Sequence, residues 1–359
     1  MRIIIAAGGT GGHLFPGIAL AEEFKTKNEG SKVLFIGTTR EMEKRILSPQ
    51  GFIFKSIEVS SLKGKNLFDM LKSLISIPKS IFKAIIIIKN FNPDLVIGLG
   101  GYVSGPVVLA AALMGFKTAI HEQNTLPGLT NRLLSKITHL IFVSFEQSLS
   151  YFPKGKTMLS GNPIRKQCSE ALSSRSLRTP FTLLILGGSL GSHQINCAMI
   201  DALEDLLPIR DKIKIIHQTG EKDLSLVKEA YQNKGFSAEV STFIDQIVNA
   251  YQQASLVISR AGATTLAELM AQRRASILIP YPLAANQHQH LNAMAVVSQK
   301  AALMIDPEQI TGKRLAKLIL NLYQHPEHLS EMENNAGKLG RPKAAQEIVD
   351  HCYKLIAQV

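Results

Sequence analysis

Short, unbroken apolar runs recur along the chain, separated by stretches long enough for a helix. The runs Ile3–Ala7 and Thr182–Leu186 are branched and uninterrupted, as a strand buried on both faces of a parallel sheet must be. Runs at Val33–Gly37, Asp94–Gly98, Thr118–Ile120 and Leu140–Val143 follow the first of them. Runs at Ile213–His217, Leu256–Ser259, Ser276–Pro280 and Ala301–Ile305 follow the second. Strand-like and helix-like segments alternate, which predicts α/β architecture with parallel sheets, right-handed crossovers and ligands beyond the carboxyl ends of the strands.

Both leading runs end in glycine-rich turns, Gly8-Gly9-Thr10-Gly11-Gly12 and Gly187-Gly188-Ser189-Leu190-Gly191. Such turns let backbone N–H groups approach an anion at the positive end of the next helix, although tight strand-to-helix turns have the same composition. Neither fits G-x-G-x-x-G or G-x-x-x-x-G-K-[S/T], and the strand Val33–Gly37 runs into Thr38-Thr39-Arg40 instead of a ribose-binding acid. A nicotinamide dinucleotide is therefore disfavoured.

A chain of 359 residues exceeds what one core usually organises. The expected division is 1–162, 163–340 and a last helix over 341–359, with a boundary near Ser160–Pro163 and a polar connection from Ser169 to Pro180. Arg341-Pro342 suits a helix start, and Ile348, Cys352 and Leu355 keep one apolar face for packing on the first domain. Cys168, Cys197 and Cys352 are odd in number and far apart, which favours a reducing compartment. The five apolar residues after Arg2 are too few for a signal-peptide core, and the run Ala84–Ile88 is too short to cross a membrane.

The net charge of +12 is uneven: basic residues exceed acidic ones by nine within residues 1–160 and by three in the remainder. Lys63, Lys65, Lys72, Lys79, Lys83 and Lys89 share residues 61–90 with one acid, Asp69, and with many leucines, isoleucines and phenylalanines. Two readings stay open: an anionic phospholipid membrane surface, or a helix that buries its apolar residues and solvates its lysines. Nucleic acid is disfavoured by 6% aromatic content, the lack of tryptophan and the lack of a reading motif.

The stretch Ser259 to Glu268 follows a strand and opens a helix. Leu266, Leu269 and Met270 fall on its core side, leaving Thr264 and Glu268, one turn apart, on the other. Hydroxyls and N–H groups at a first turn suit a diphosphate, and a carboxylate one turn on suits ribose hydroxyls. Asn286 to Ala293, with Gln289, places amides and imidazoles after another strand, where they suit sugar hydroxyls. His288 and His290 diverge on entering a helix and have no acid close in sequence, and no Asp-x-Asp occurs, so no metal is expected. His13 and His121-Glu122-Gln123-Asn124 also stand at strand ends, where a histidine can serve as a general base.

The segments Gly8–Gly17, Gly100–Pro106, His121–Asn124, Gly161–Arg165, Gly187–Ser189 and Arg260–Glu268 together resemble the motif set of the MurG family of N-acetylglucosaminyltransferases. That resemblance spans the chain and implies a glycosyltransferase-B fold, two Rossmann-like domains facing a deep cleft. It also implies transfer of GlcNAc from UDP-GlcNAc to undecaprenyl-diphosphate-MurNAc-pentapeptide, without cofactor, at the cytoplasmic face of the cell (inner) membrane. Proteins of cell-wall synthesis or division are implied as partners.

By motif, Glu268 would bind ribose, Ala263, Thr264, Thr265 and Ser189 the diphosphate, and the Ile244 backbone the uracil. Arg165 would also reach the nucleotide, while Thr10, Gly11, Gly12, Asn124 and Gln289 would surround the sugar. His13 is the first candidate base and Glu122 the second. Leu190 departs from the polar glutamine common in the family. Two other functions compete: a UDP-GlcNAc 2-epimerase, which leaves residues 61–90 unexplained, and a non-catalytic membrane adaptor that binds UDP-GlcNAc without releasing UDP.

Overall fold

Seven parallel strands form the sheet of the first unit: β1 (Arg2–Ala6), β2 (Lys32–Gly37), β3 (Ile53–Ser56), β4 (Leu95–Gly98), β5 (Lys117–Glu122), β6 (Leu140–Val143) and β7 (Thr157–Leu159), in the order β3-β2-β1-β4-β5-β6-β7. Six parallel strands form that of the second: β8 (Phe181–Leu186), β9 (Ile213–Gln218), β10 (Ser237–Ser241), β11 (Leu256–Ser259), β12 (Ser276–Leu278) and β13 (Leu303–Met304), in the order β10-β9-β8-β11-β12-β13. This computed structural model describes residues 1–9, 11–59, 67–170, 180–188 and 190–357, apart from the side chains of Met42, Glu170 and residues 67–77. The chain divides into a unit of Met1–Lys166 with Pro342–Val359 and a unit of Gln167–Arg341.

The unbroken apolar runs follow from burial on both sheet faces. Ile3 and Ile5 enter one core layer with Leu14, Leu20 and Phe24 of the helix Gly11–Lys27, whereas Ile4 and Ala6 enter the opposite layer with Val103 and Val107 of the helix Gly101–Leu113. Period-two alternation thus sends apolar side chains both ways. The helix Ala344–Ala357 adds Ile348, Val349, Cys352 and Leu355 to the first layer. An ion pair between Lys27 and Asp350 and a ring contact of Phe24 with Tyr353 at 6.1 Å hold its outer side.

Three strands escape the apolar-run reading, β3, β7 and β10, and all three lie at a sheet edge. Their residues are half-buried or exposed, so no continuous apolar run marks them. In each sheet the strand order reverses between two central strands, β1 with β4 and β8 with β11. Crossovers leave in opposite directions there and open a crevice at the carboxyl ends. The turn after β1 begins at Gly8 and the turn after β8 at Gly187, so both glycine turns stand at these reversals.

Candidate active site

In the first unit the glycine turn is fastened from beneath by Glu43. This fully buried carboxylate accepts from the Gly9 N–H (2.8 Å), the Thr38 N–H (2.7 Å) and the Thr38 hydroxyl (2.7 Å). The acid missing at the end of β2 thus arrives from the following helix, Glu41–Leu47, and engages the turn itself. Gly9 has φ +93°, and its N–H serves the internal contact with Glu43. The first turn of the helix Gly11–Lys27 carries no acid, which suits an anion.

His13 projects from that first turn. Its ring lies against a second glycine turn: a Cβ on Gly100 would sit 3.0 Å from His13 Cε1, and one on Gly101 would strike the Gly8 carbonyl oxygen at 2.7 Å. Gly100 and Gly101 adopt φ +88° and +73°, and a side chain at either would disturb the histidine or the turn beneath it. His13 Nδ1 is 3.2 Å from Gln123 Oε1. Gln123 Nε2 donates to the Leu99 carbonyl (2.9 Å) and to His121 Nδ1 (3.0 Å), which fixes the amide orientation. Gln123 Oε1 is an acceptor, so His13 carries its proton on Nδ1 and Nε2 is the basic nitrogen of that tautomer.

His121 completes the strut by donating from Nε2 to the Gly161 carbonyl at 2.9 Å. Burial pushes its pKa down to about 4; the Gly161 contact offsets this in part and the neighbouring His13 adds to it. His121 is therefore neutral, with both ring nitrogens engaged. Glu122, the second candidate base, is buried and accepts from the Asn124 N–H (3.0 Å) and side-chain amide (3.3 Å), the Gly128 N–H (3.1 Å) and the Asn131 amide (2.8 Å). A carboxylate enclosed by four donors organises the loop that carries Asn124 and is poorly placed to take a substrate proton. Arg165 stacks over the Phe15 ring at 4.6 Å in the same unit. Thr10 lies outside the described residues.

In the second unit the glycine turn is shaped by close backbone packing. Gly191 has φ +77°, and a Cβ there would collide with the Thr219 carbonyl oxygen. Gln218, which the sequence did not single out, donates to the Gly188 carbonyl (2.7 Å) and accepts from the Ile244 N–H (3.0 Å). That N–H is thus engaged within the protein, and Leu190 is exposed. Ser189 lies outside the described residues.

The helix Ala263–Ala271 starts just beyond β11 with no acid in its first turn. Ala263, Leu266, Leu269 and Met270 are buried, and Thr264 and Thr265 are half-buried. Glu268, placed by periodicity opposite the core, is itself buried and accepts from the Tyr251 hydroxyl at 3.0 Å. Tyr251 belongs to the helix Ile247–Gln253, so two helices share a polar contact where a solvent face was expected.

Gln289 Oε1 accepts from the Tyr281 N–H at 2.9 Å, which ties the helix His288–Val297 to the loop after β12. Asn286 and Gln287 both hold positive φ, 54° and 53°, in the short turn before that helix. Consecutive non-glycine residues in the left-handed region store strain of the sort found at binding loops. His288 contacts the Ala285 carbonyl (2.8 Å) and His290 meets Asp306 (3.4 Å), an acid remote in sequence. Among the described residues no group of three or more His, Cys, Asp or Glu is arranged to hold a metal ion.

A glycine turn at the reversal of each parallel sheet, with helix starts that carry no acid, defines a two-unit α/β protein whose turns suit anionic ligands. Comparison with known proteins agrees: residues 3–143 match the glycosyltransferase family 28 N-terminal domain and residues 182–348 the C-terminal domain of that family. A Myxococcus xanthus (strain DK1622) protein is 47% identical over 359 residues, covering 100% of this chain and 94% of that protein. A Syntrophus aciditrophicus (strain SB) protein is 46% identical, covering 99% of each. The chain belongs to glycosyltransferase family 28, and within it to the MurG group.

Both relatives are named UDP-N-acetylglucosamine–N-acetylmuramyl-(pentapeptide) pyrophosphoryl-undecaprenol N-acetylglucosamine transferase. The crystal structure of Acinetobacter baumannii MurG superposes with a TM-score of 0.78 at 30% identity, covering 98% of this chain and 99% of that one. A UDP-GlcNAc 2-epimerase from Neisseria meningitidis superposes at 0.68 with 15% identity, covering 99% and 100%, which is a likeness of fold alone.

Proposed function

We propose that this chain is an inverting transferase that moves GlcNAc from UDP-GlcNAc to the C4 hydroxyl of MurNAc in undecaprenyl-diphosphate-MurNAc-pentapeptide. The observation that carries the catalytic part is the relay from the Gly161 carbonyl through His121 and Gln123 to His13. In the reaction, His13 Nε2 takes the proton of the acceptor hydroxyl as its oxygen bonds to C1 of GlcNAc. The bond from C1 to the β-phosphate oxygen breaks on the opposite face, UDP leaves, and the configuration inverts to a β-1,4 link. The Gln123 contact steadies the imidazolium that forms.

Charge on departing UDP is met by the N-terminus of the helix Ala263–Ala271 through Ala263, Thr264 and Thr265, and by Arg165, without metal. Glu268 takes the ribose hydroxyls and the Ile244 backbone the uracil. Because the Ile244 N–H already engages Gln218, the carbonyl is the group offered to the base's N–H. Gly11, Gly12, Asn124 and Gln289 surround the sugar. Thr10 at the sugar and Ser189 at the diphosphate rest on motif alone.

The acceptor is lipid-linked, and the first unit carries a surface suited to the anionic inner face of the cytoplasmic membrane. On the helix Leu67–Phe91, Phe82 is 66% exposed and Ile86 45%, beside exposed Lys79, Lys83 and Lys89. Leu113, Leu129 and Leu133, also exposed, extend the apolar character over the helices Gly101–Leu113 and Leu129–Leu134. Apolar side chains beside lysines favour peripheral attachment. Lys63 and Lys65 lie outside the described residues, and no described helix is long and apolar enough to cross a membrane.

Incubation with labelled UDP-GlcNAc, with and without the lipid-linked acceptor, tests the reading. Label is expected in lipid only when acceptor is present; epimerised label, or bound label without UDP release, would defeat it. His13→Ala is expected to lower turnover about 10²–10⁴-fold with UDP affinity unchanged.

A further inference from the structure

Arg260 joins three loops at the carboxyl end of the second sheet. It follows β11, and its guanidinium reaches Ser192 Oγ at 2.7 Å from Nη2 and the Pro280 and Ile279 carbonyls at 2.9 and 3.2 Å from Nη1. Gln194 Oε1 accepts from both terminal nitrogens at 3.3–3.4 Å. Ser192 closes the Gly187–Gly191 turn and caps the helix His193–Leu206, while Pro280 leads into Tyr281, whose N–H orients Gln289. One planar fork thus sets the spacing between the glycine turn and the loop holding Gln289.

Among the described residues every acceptor of this cation is neutral. Among the described residues no carboxylate stands within ion-pair distance of Arg260, and the Tyr281 ring lies 5.6 Å from it. Burial draws the guanidinium down to about 10, and the neighbouring Tyr281 offsets this in part. Helices flanking it, His193–Leu206 and Ala263–Ala271, both begin without an acid in the first turn. A half-buried positive charge between two positive helix ends is held at a cost that a doubly charged anion would relieve.

We propose that Arg260 is a positioning residue for the donor diphosphate, acting through Ser192 and the Pro280–Tyr281 backbone. Its planar fork fixes the two loops at the separation a diphosphate requires, and its charge biases them toward that anion. Because carbonyl and hydroxyl oxygens occupy the fork, the effect reaches the phosphates through the loops and through the field. This rests on the reading that the second unit holds the nucleotide.

The test compares UDP with uridine, measured by calorimetry and ligand-observed NMR, on the wild type and on Arg260→Met, Arg260→Lys and Ser192→Ala. Arg260→Met is expected to weaken UDP at least tenfold and raise the KM for UDP-GlcNAc more than it lowers kcat, with uridine unchanged. Arg260→Lys, which keeps the charge and loses the fork, is expected to recover part of the UDP affinity. Ser192→Ala, which keeps the arginine should Arg260→Met not fold, is expected to weaken UDP at least threefold and leave uridine alone. Equal weakening of UDP and uridine, or unchanged UDP affinity in a folded Arg260→Met or Ser192→Ala protein, overturns the proposal while the nucleotide reading stands. A wild type that binds neither ligand overturns both.

Discussion

Acid should destabilise this protein through two buried histidines, one in each unit. His121 and His217 are both fully inaccessible to solvent, and burial lowers them from 6.5 to about 4 and about 3, with Asp223 partly offsetting the second. His217 Nε2 donates to Asn196 Oδ1 at 3.0 Å and its Nδ1 accepts from the Tyr231 hydroxyl at 2.7 Å, so neither nitrogen has room for another proton. Above pH 6.5 both rings are neutral in folded and unfolded chains, and no penalty arises. Below 6.5 the unfolded chain takes up protons that the fold refuses, so stability falls as pH falls until the folded values are passed.

At pH 5.0 an unfolded histidine is protonated about 30 to 1, and each site contributes a loss of about 2 kcal/mol relative to pH 7.5. Urea denaturation at both pH values, followed by pulse proteolysis with fragments assigned to each unit, measures this for the wild type, His121→Gln and His217→Gln. Each substitution is expected to lower stability at pH 7.5, yet to shrink the pH-dependent loss in its own unit by about 2 kcal/mol. Carboxylates that titrate over the same range affect all three proteins alike and cancel in the comparison. A wild type that loses no more stability than the variants would refute the neutral-histidine argument.

Gln123→Leu removes the acceptor that keeps the His13 proton on Nδ1, and turnover is expected to fall about 10–100-fold with a displaced pH–rate profile and unchanged UDP affinity. Glu268→Ala is expected to raise the KM for UDP-GlcNAc at least tenfold in steady-state assays, whereas Glu268→Gln, which can still accept from Tyr251, loses less. Gly191→Ala forces φ +77° on a residue with a Cβ that has no space beside Thr219, so thermal melting of the second unit should register a loss of at least about 1–3 kcal/mol. Lys79→Gln with Lys83→Gln removes about 1 kcal/mol per lysine of attraction to acidic lipid, so partition to phosphatidylserine vesicles in a flotation assay should drop about 30-fold and partition to neutral vesicles should not change.

The central strands and the glycine turns were legible because their causes are local. A strand covered on both faces needs an unbroken apolar run, as Ile3–Ala6 shows, and a turn at φ +93° or +77° needs glycine, as at Gly9 and Gly191. The edge strands β3, β7 and β10 were not legible, since a strand covered on fewer sides has no such requirement. What holds the candidate site together was hidden for a further reason: it consists of single hydrogen bonds between residues far apart in sequence. Glu43 reaches Gly9 across 34 positions, His13 reaches Gln123 across 110, and Arg260 reaches Ser192 across 68.

No periodicity records such contacts, and each residue read by itself has an ordinary surface explanation. Glu43 would pass for a helix-start acid and Gln123 for one amide in a polar tetrad. The departure at Glu268 has the same origin. Helical spacing removed it from the Leu266–Leu269–Met270 face, but spacing along one helix says nothing about a tyrosine that reaches the carboxylate from another helix. Since Tyr251 already holds Oε2, a ribose would meet a carboxylate whose direction the protein has set in advance. The energetic advantage of such a site is that ordering the side chain is completed during folding, so the entropic cost is not charged again to binding. One measurable difference separates Glu268 from a solvated acid: Tyr251→Phe, which removes only the hydroxyl, should weaken UDP binding by a few-fold without altering the protein's far-ultraviolet circular dichroism. An unchanged affinity would show that the tyrosine packs beside the carboxylate without directing it.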